Sequence, residues 1–176
     1  MVGEHSEFQV RRVIAGVDSE GRSTVVTDEI TPQRTSAAAF TICDIWETPK
    51  LPIPMDTVAP AGEVSIYPPE AGFVFRVVAF PPDREYDKKT AYEASLAALK
   101  GQETFRPSDI PGMHITDSLD IVTVISGELH VVLETGETLL CQGDSLVIRG
   151  AMRCWSNKTD KPAIITSLIM SATRPR

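Results

Sequence analysis

The sequence predicts an all-β barrel or sandwich carrying one short helix, and three observations predict it. Segments 121–125, 129–133, 138–141, 145–148 and 164–170 are short, apolar and rich in β-branched residues, with Gly127, Gly136, Gly143 and Gly150 breaking them at turn spacing. The run 73–80 is apolar except for Arg76 and stops at Pro81 and Pro82, as a buried strand would. Only residues 90–100 repeat with a helical period. Many short strands linked by Gly turns bury one face and lose their exposed edges by closing into a barrel or stacking as a sandwich.

Taken in order, segments 8–17 and 23–28 read as strands flanking Asp18-Ser19-Glu20-Gly21, a turn sequence suited to a hairpin. Residues 39–46 read as another strand. Residues 51–69 are interrupted by Pro52, Pro54, Pro60, Pro68 and Pro69, and since proline has no ladder donor this stretch is expected to be loop. In the helical segment, Thr90 and Glu93 have capping-box spacing, Tyr92, Leu96 and Leu99 share a face, and Gly101 can end the last turn. The helix is expected to pack on the outside of the barrel, with a lid over its mouth as the alternative. Residues 1–70 are expected to share one domain with a barrel at 71–172, because 176 residues suit a single core.

A net charge of −7 and a pI near 5.0 argue against a nucleic-acid partner, which calls for clustered Lys and Arg. Arg84, Lys88, Lys89 and Arg106 are expected on a solvated face. No apolar run approaches the ~18 residues of a membrane helix, and residues 1–7 lack the apolar core of a signal peptide, so no membrane contact and a cytoplasmic location are expected. Cys43, Cys141 and Cys154 are odd in number and form no C-x-x-C pair, which points to buried thiols rather than a disulfide framework.

Two segments carry a more specific signal. Gly112-Met113-His114-Ile115-Thr116-Asp117-Ser118-Leu119-Asp120 is followed, six residues on, by Gly127; the second segment runs from Gly143 through Arg149, Gly150, Arg153 and Trp155 to Asn157. These resemble the paired motifs of the cupin family, the second in a form one residue short of the commonest spacing. Residues 11–16 and 75–82 are also similar to a subgroup of single-domain bacterial and fungal cupins. The resemblance implies a cupin-type jelly-roll β-barrel with an N-terminal β extension, and a homodimer, since cupins often pair through an N-terminal strand. It puts His114 in the first His slot, Thr116 in the second, Asp120 in the acid slot and Arg153 in the place of the last His. The fold does not settle the activity.

Metal-dependent cupins hold their ion with several imidazoles and a carboxylate. Thr116 is a poor ligand and Arg153 a permanent cation, so no metal and no other cofactor is expected. His5 belongs to a terminus that reads as mobile, His130 alternates away from Leu129 and Val131, and Asp117 is the one candidate replacement ligand. The residues left suit other chemistry. His114, Asp120 and Arg153 are the catalytic candidates: an imidazole to move a proton, a carboxylate to orient it, and a guanidinium to stabilise negative charge. A structural Asp120–Arg153 ion pair is the competing reading.

If Arg153 points inward, alternation puts Trp155 on the same face; on the strand at 73–80, either Phe73, Phe75 and Val77 or Val74, Arg76 and Val78 face the interior. Arg76, Thr116, Trp155 and Phe75 are the candidate substrate contacts. The partner expected is a small apolar or aromatic molecule with an anionic group. The leading function is a metal-independent lyase or isomerase performing dehydration, decarboxylation, isomerisation or cyclisation on an organic acid or polyketide-like intermediate. The alternatives are a metal-dependent cupin oxygenase or isomerase using His114, Asp120 and Asp117, and a non-catalytic small-molecule binder.

Overall fold

A computed structural model describes residues 4–55, 62–104, 106 and 108–174. After a short 3-10 turn at Glu4–Glu7 come β1 (Arg11–Val17), β2 (Ser23–Ile30), β3 (Arg34–Ala37), β4 (Phe40–Thr48) and β5 (Phe73–Phe80). Helix α1 (Lys88–Ala98) follows, then β6 (Ser118–Ser126), β7 (Glu128–Leu133), β8 (Gly136–Cys141), β9 (Ser145–Arg149), β10 (Cys154–Ser156) and β11 (Ala163–Ser171). Residues 56–61 of the proline-rich stretch lie outside the described residues; its flanks form no strand.

All strand pairs are antiparallel. One sheet has six strands in the order β3-β4-β5-β11-β6-β9, a second has three in the order β10-β7-β8, and β1 and β2 form a separate ribbon. Consecutive strands are divided between the larger sheets: β6 and β9 lie in one, β7, β8 and β10 in the other. Val78, Phe80, Val122, Val124 and Ile165 from the first sheet and Leu129, Val131, Leu140 and Trp155 from the second share one apolar core. The strand order is that of a jelly-roll, with the β1–β2 ribbon as its N-terminal extension.

The period-2 burial of the large sheet sets up the site. On β11 the buried positions are Ala163, Ile165, Ser167 and Ile169; on β6 they are Ser118, Asp120, Val122 and Val124. On β5, Val74, Arg76, Val78 and Phe80 form the inward set. Polar residues thus occupy core-facing positions of an otherwise apolar alternation, where their burial is costly unless they find partners.

Several elements differ from the sequence expectation. Strand β1 starts at Arg11, not at residue 8; ahead of it the Phe8 carbonyl accepts from Arg34 Nε and that of Val10 from Thr31 N. The short strands β3 and β10 carry too few residues to show a period. Helix α1 begins earlier than residue 90: Asp87 is its N-cap, accepting from both the backbone N–H and the hydroxyl of Thr90, so Thr90 lies inside the first turn. At the other end Lys100, not Gly101, takes the left-handed conformation, with φ 59°. Gly101 is needed instead for close approach, since a Cβ there would sit 2.8 Å from the Leu96 carbonyl oxygen.

His5 is buried rather than mobile, its Nε2 3.0 Å from the Ala37 carbonyl oxygen. His130 is half-buried between inward-facing Leu129 and Val131. Cys43 and Cys154 are buried, whereas Cys141 is exposed, because it ends edge strand β8 on the solvent side. Arg84 pairs with Asp160 and Lys88 with Asp83, at 3.0 Å for the latter, near the surface.

Candidate functional site

Between the two sheets lies a small cavity with an apolar lining. Five rings run along its wall in sequence: Trp155, Phe80, Phe40, Tyr92 and His114, with successive centroids 5.8, 6.4, 6.0 and 5.9 Å apart. Tyr92 and Leu96 come from α1. The helix therefore closes the cavity rather than packing outside the barrel: its apolar stripe is part of the same core as both sheets. Into this apolar space project His114, Asp120, Arg153 and Arg76, each 4% exposed or less.

His114 and Arg153 are neighbours by backbone pairing. His114 N donates to the Arg153 carbonyl at 3.0 Å and Arg153 N to that of His114 at 3.1 Å, an isolated antiparallel bridge that sets both side chains on one face. The His114 ring is oriented from behind: Nδ1 donates to the Gly112 carbonyl at 2.9 Å, which leaves Nε2 with the lone pair. Gly112 has φ 82°, and a Cβ on it would lie 2.9 Å from Cγ of Tyr92, so this turn needs glycine for both conformation and space. Burial first, and the Arg153 charge second, push the imidazole down to about 3, against a weaker opposing pull from the Gly112 carbonyl. The ring is neutral at ordinary pH.

Asp120 does not orient His114. Its Oδ2 accepts from Arg153 Nη2 at 2.8 Å and its Oδ1 from Ser118 Oγ at 2.5 Å. Arg153 Nη2 also donates to Thr116 Oγ1 at 2.9 Å, and Thr116 Oγ1 lies 2.7 Å from Ser118 Oγ. With Thr116 accepting from Arg153, its own proton goes to Ser118, and the four residues form a closed ring of hydrogen bonds. Thr116 belongs to this ring and is absent from the cavity wall. The ring engages one edge of the Arg153 guanidinium; Nε and Nη1 are buried with no hydrogen-bond partner.

Arg76 repeats the pattern on β5. It lies in register with Asp44 on β4, beside a bulge between Asp44 and Trp46. Arg76 Nε is 2.9 Å from Asp44 Oδ1, close but misaligned for a hydrogen bond, and Nη2 donates to Oδ2 at 3.4 Å. Nη1 has no partner, and Nε has only that ion contact. Burial pushes the Asp44 carboxyl up to about 6, opposed by the Arg76 charge and helped by Glu47.

Of the substrate contacts expected from sequence, the structure brings Arg76 and Trp155 to the cavity with His114, Asp120 and Arg153. Phe75 is not brought in: Arg76 is inward, so period-2 geometry turns Phe75 to the other face of β5. Asp117 is exposed, paired with Arg174 and not part of the cavity wall. Sequence reasoning missed Asp44, Ser118 and Tyr92. Asp44 had a signal, an acid at the third inward position after Phe40 and Ile42; the contributions of Ser118 and Tyr92 depend on contacts that spacing does not reveal.

A divalent metal does not fit the positions where cupins hold one. The Arg153 guanidinium already occupies Asp120 and Thr116, and a fixed cation repels an ion there. Among the described residues, no group of three or more His, Cys, Asp and Glu side chains is placed to hold an ion.

No family model matches the chain. Two curated relatives from Diaporthe leptostromiformis are similar to part of it: phomopsin biosynthesis cluster protein C', 38% identical over 68 residues, and phomopsin biosynthesis cluster protein D, 40% identical over 67 residues. Each match covers 35% of this chain and only about a third of the relative, 36% and 35% of its length. Among solved structures, a putative ethanolamine utilisation protein Q from Salmonella typhimurium aligns over 94% of this chain and 99% of its own, at 9% identity and a TM-score of 0.46. A cupin 2 conserved barrel domain protein from Salinispora arenicola aligns over 80% of this chain and 82% of its own, at 13% identity and a TM-score of 0.44. At such scores these likenesses add nothing to what the strand order shows. No helix among the described residues is long and apolar enough to cross a membrane.

Proposed function

We propose that the chain is a metal-independent small-molecule enzyme that binds an apolar organic acid in the barrel cavity and moves a proton next to its carbonyl or carboxylate. One observation carries the reading: a buried guanidinium with unpartnered N–H groups stands beside a neutral imidazole whose Nε2 has its lone pair available. Unpaired charged donors in an apolar cavity are costly, and an anionic ligand is what would satisfy them. The aromatic wall suits an aryl or polyketide-like body. The two partial relatives, named as biosynthesis cluster proteins, support a place in secondary metabolism.

In this reading Arg153 seats the acid and stabilises the enolate that forms when a proton leaves the adjacent carbon. His114 Nε2 accepts that proton; returning it to another atom gives isomerisation, and expulsion of a β leaving group by the enolate electrons gives a lyase outcome. Decarboxylation runs without that deprotonation: the bond to the carboxylate breaks, its electron pair forms the enolate as carbon dioxide leaves, and the carbon then takes up a proton. Asp120, Thr116 and Ser118 act as positioning residues for Arg153. A base held near 3 is weak, but the ligand itself alters this: its negative charge offsets the second of the two causes that depress His114.

The test is proton exchange at the carbon between the two carbonyls of a β-keto acid, 3-oxooctanoate, followed by NMR in deuterated buffer. Exchange or decarboxylation faster than in buffer alone, lost in His114→Gln, is expected. A rate equal to that of buffer, with the acid bound, would make the chain a non-catalytic binder, the second reading. That reading draws support from the lack of a carboxylate behind His114. The proposal includes a homodimer through the β1–β2 ribbon, where Val13, Val17, Val25, Val26 and Ile30 are 50–68% exposed. A monomeric mass by light scattering would reject that part.

A further inference from the structure

The proton-transfer reading uses one guanidinium, yet the cavity contains two. Arg76 is 2% exposed, lines the same cavity and has Nη1 without a partner. Asp44 holds its other edge, through an ion contact of 2.9 Å at Nε and a hydrogen bond of 3.4 Å at Nη2, while Arg153 donates from Nη2 at 2.8 and 2.9 Å. Each buried guanidinium thus has one edge on a carboxylate and a terminal nitrogen, Nη1, left over. A buried charged donor left in this way is short of an acceptor.

The register gives the spacing. Arg76 on β5 pairs with Ser167 on β11, which pairs with Val122 on β6; one inward row away, Val74 pairs with Ile169, which pairs with Asp120. The Arg76 backbone is therefore two strand spacings across and two residues along, ~12 Å in all, from that of Asp120, the partner of Arg153. The wall between them is apolar, with Val122, Ile165 and Ile169 on it and a single hydroxyl at Ser167.

We propose that the ligand is a bifunctional acid: one carboxylate sits on Arg153 beside His114, a second sits on Arg76, and an apolar body spans the wall between them. This rests on the reading that the cavity takes an organic acid at Arg153. Asp44 is the group that gives way, since its carboxyl, already pushed up to about 6, takes up a proton when a second anion displaces it from Arg76. Selectivity then comes from length: an acid with one charged end leaves Nη1 of Arg76 short of an acceptor, and a diacid of matching span satisfies both guanidinium groups.

The experiment is calorimetric titration of the full chain with octanoate and with the straight-chain diacids glutarate, suberate and sebacate. One diacid is expected to bind at least about tenfold tighter than octanoate, the scale of one charge-assisted contact. Arg76→Met alone would strand Asp44 as an unpaired buried carboxylate, so the variant is Arg76→Met/Asp44→Asn, with circular dichroism confirming that it folds. It is expected to lose the diacid preference, binding no diacid more than about twofold tighter than octanoate. Octanoate bound as tightly as every diacid, or a diacid preference that survives in the folded double variant, would overturn the inference alone. If octanoate does not bind at all, the reading of the cavity as an acid site fails and the inference with it.

Discussion

His114 and Arg153 exchange both of their backbone hydrogen bonds, at 3.0 and 3.1 Å, which fixes a permanent cation beside an imidazole inside an apolar cavity. The chemistry of the site follows from that adjacency. The bridge sets both Cβ atoms on one face, so the charge of Arg153 adds to burial in keeping His114 neutral, and a ligand that neutralises Arg153 relieves that part of the effect.

Replacing the ion pair with apolar side chains, Arg153→Met/Asp120→Leu, removes the charge that helps hold His114 down. The His114 pKa is expected to rise from about 3 in this variant, though not to the usual 6.5, because burial is the larger cause and remains. Imidazole carbon chemical shifts followed against pH give the value; no rise would show that Arg153 does not act on the ring.

The same pair separates its structural contribution from its binding contribution. Arg153→Ala alone leaves Asp120 as an unpaired buried carboxylate, which is expected to cost about 3–5 kcal/mol of stability, while the double apolar replacement is expected to be near neutral. Urea unfolding midpoints distinguish the two. Equal losses in both variants would mean that packing, rather than charge pairing, is what Arg153 supplies.

His114 also gives the fold an acid-sensitive component. Its folded value, about 3, lies below the unfolded value near 6.5, so the unfolded chain binds more protons between these limits, and the stability it contributes is lost as pH falls through that window. Asp44 has the opposite sign: raised in the folded state to about 6 from the ordinary 3.8, it makes stability fall as pH rises from about 4 to 6. His114→Gln is therefore expected to flatten the acid side of the stability profile, and Asp44→Asn to remove the opposing slope. An unchanged acid limb in His114→Gln would contradict the buried neutral imidazole.

Gly112 ties the helix to the base. Its φ of 82° and the 2.9 Å approach to Tyr92 mean that Gly112→Ala strains the backbone and pushes α1 outward, at an expected cost of about 1–3 kcal/mol. Because the same residue's carbonyl orients His114, acid binding is expected to weaken as well. A variant with wild-type melting temperature and affinity would show that the turn tolerates a side chain.

Much of this architecture was legible because it is periodic. The strand at 73–80 has the bounds the sequence suggests, and the Gly turns from residue 127 onward fall where strands reverse, since both signals are local. Which face of that strand points inward was not legible: Phe75 and Arg76 compete for the interior, and only pairing Arg76 with Asp44 across the sheet decides in favour of the charged residue. Sharing one motif suggests that Asp120 supports His114; in space its hydrogen-bonding partners are Arg153, brought in by a bridge between residues 39 apart in the chain, and Ser118. The helix face was recognisable, but its position over the cavity depends on tertiary packing of Tyr92 and Leu96, which no local pattern encodes.

The most direct test of the acid site reads the unpartnered nitrogen itself. In a proton–nitrogen NMR spectrum of arginine side chains, the Nε–H signal of Arg153, assigned by its loss in Arg153→Met/Asp120→Leu, is followed as octanoate and the neutral octanamide are added. A marked downfield proton shift with octanoate and little response to octanamide is the expected result, since a carboxylate would give that N–H the acceptor it lacks. An Arg153 signal unmoved by saturating octanoate would contradict the account at its centre.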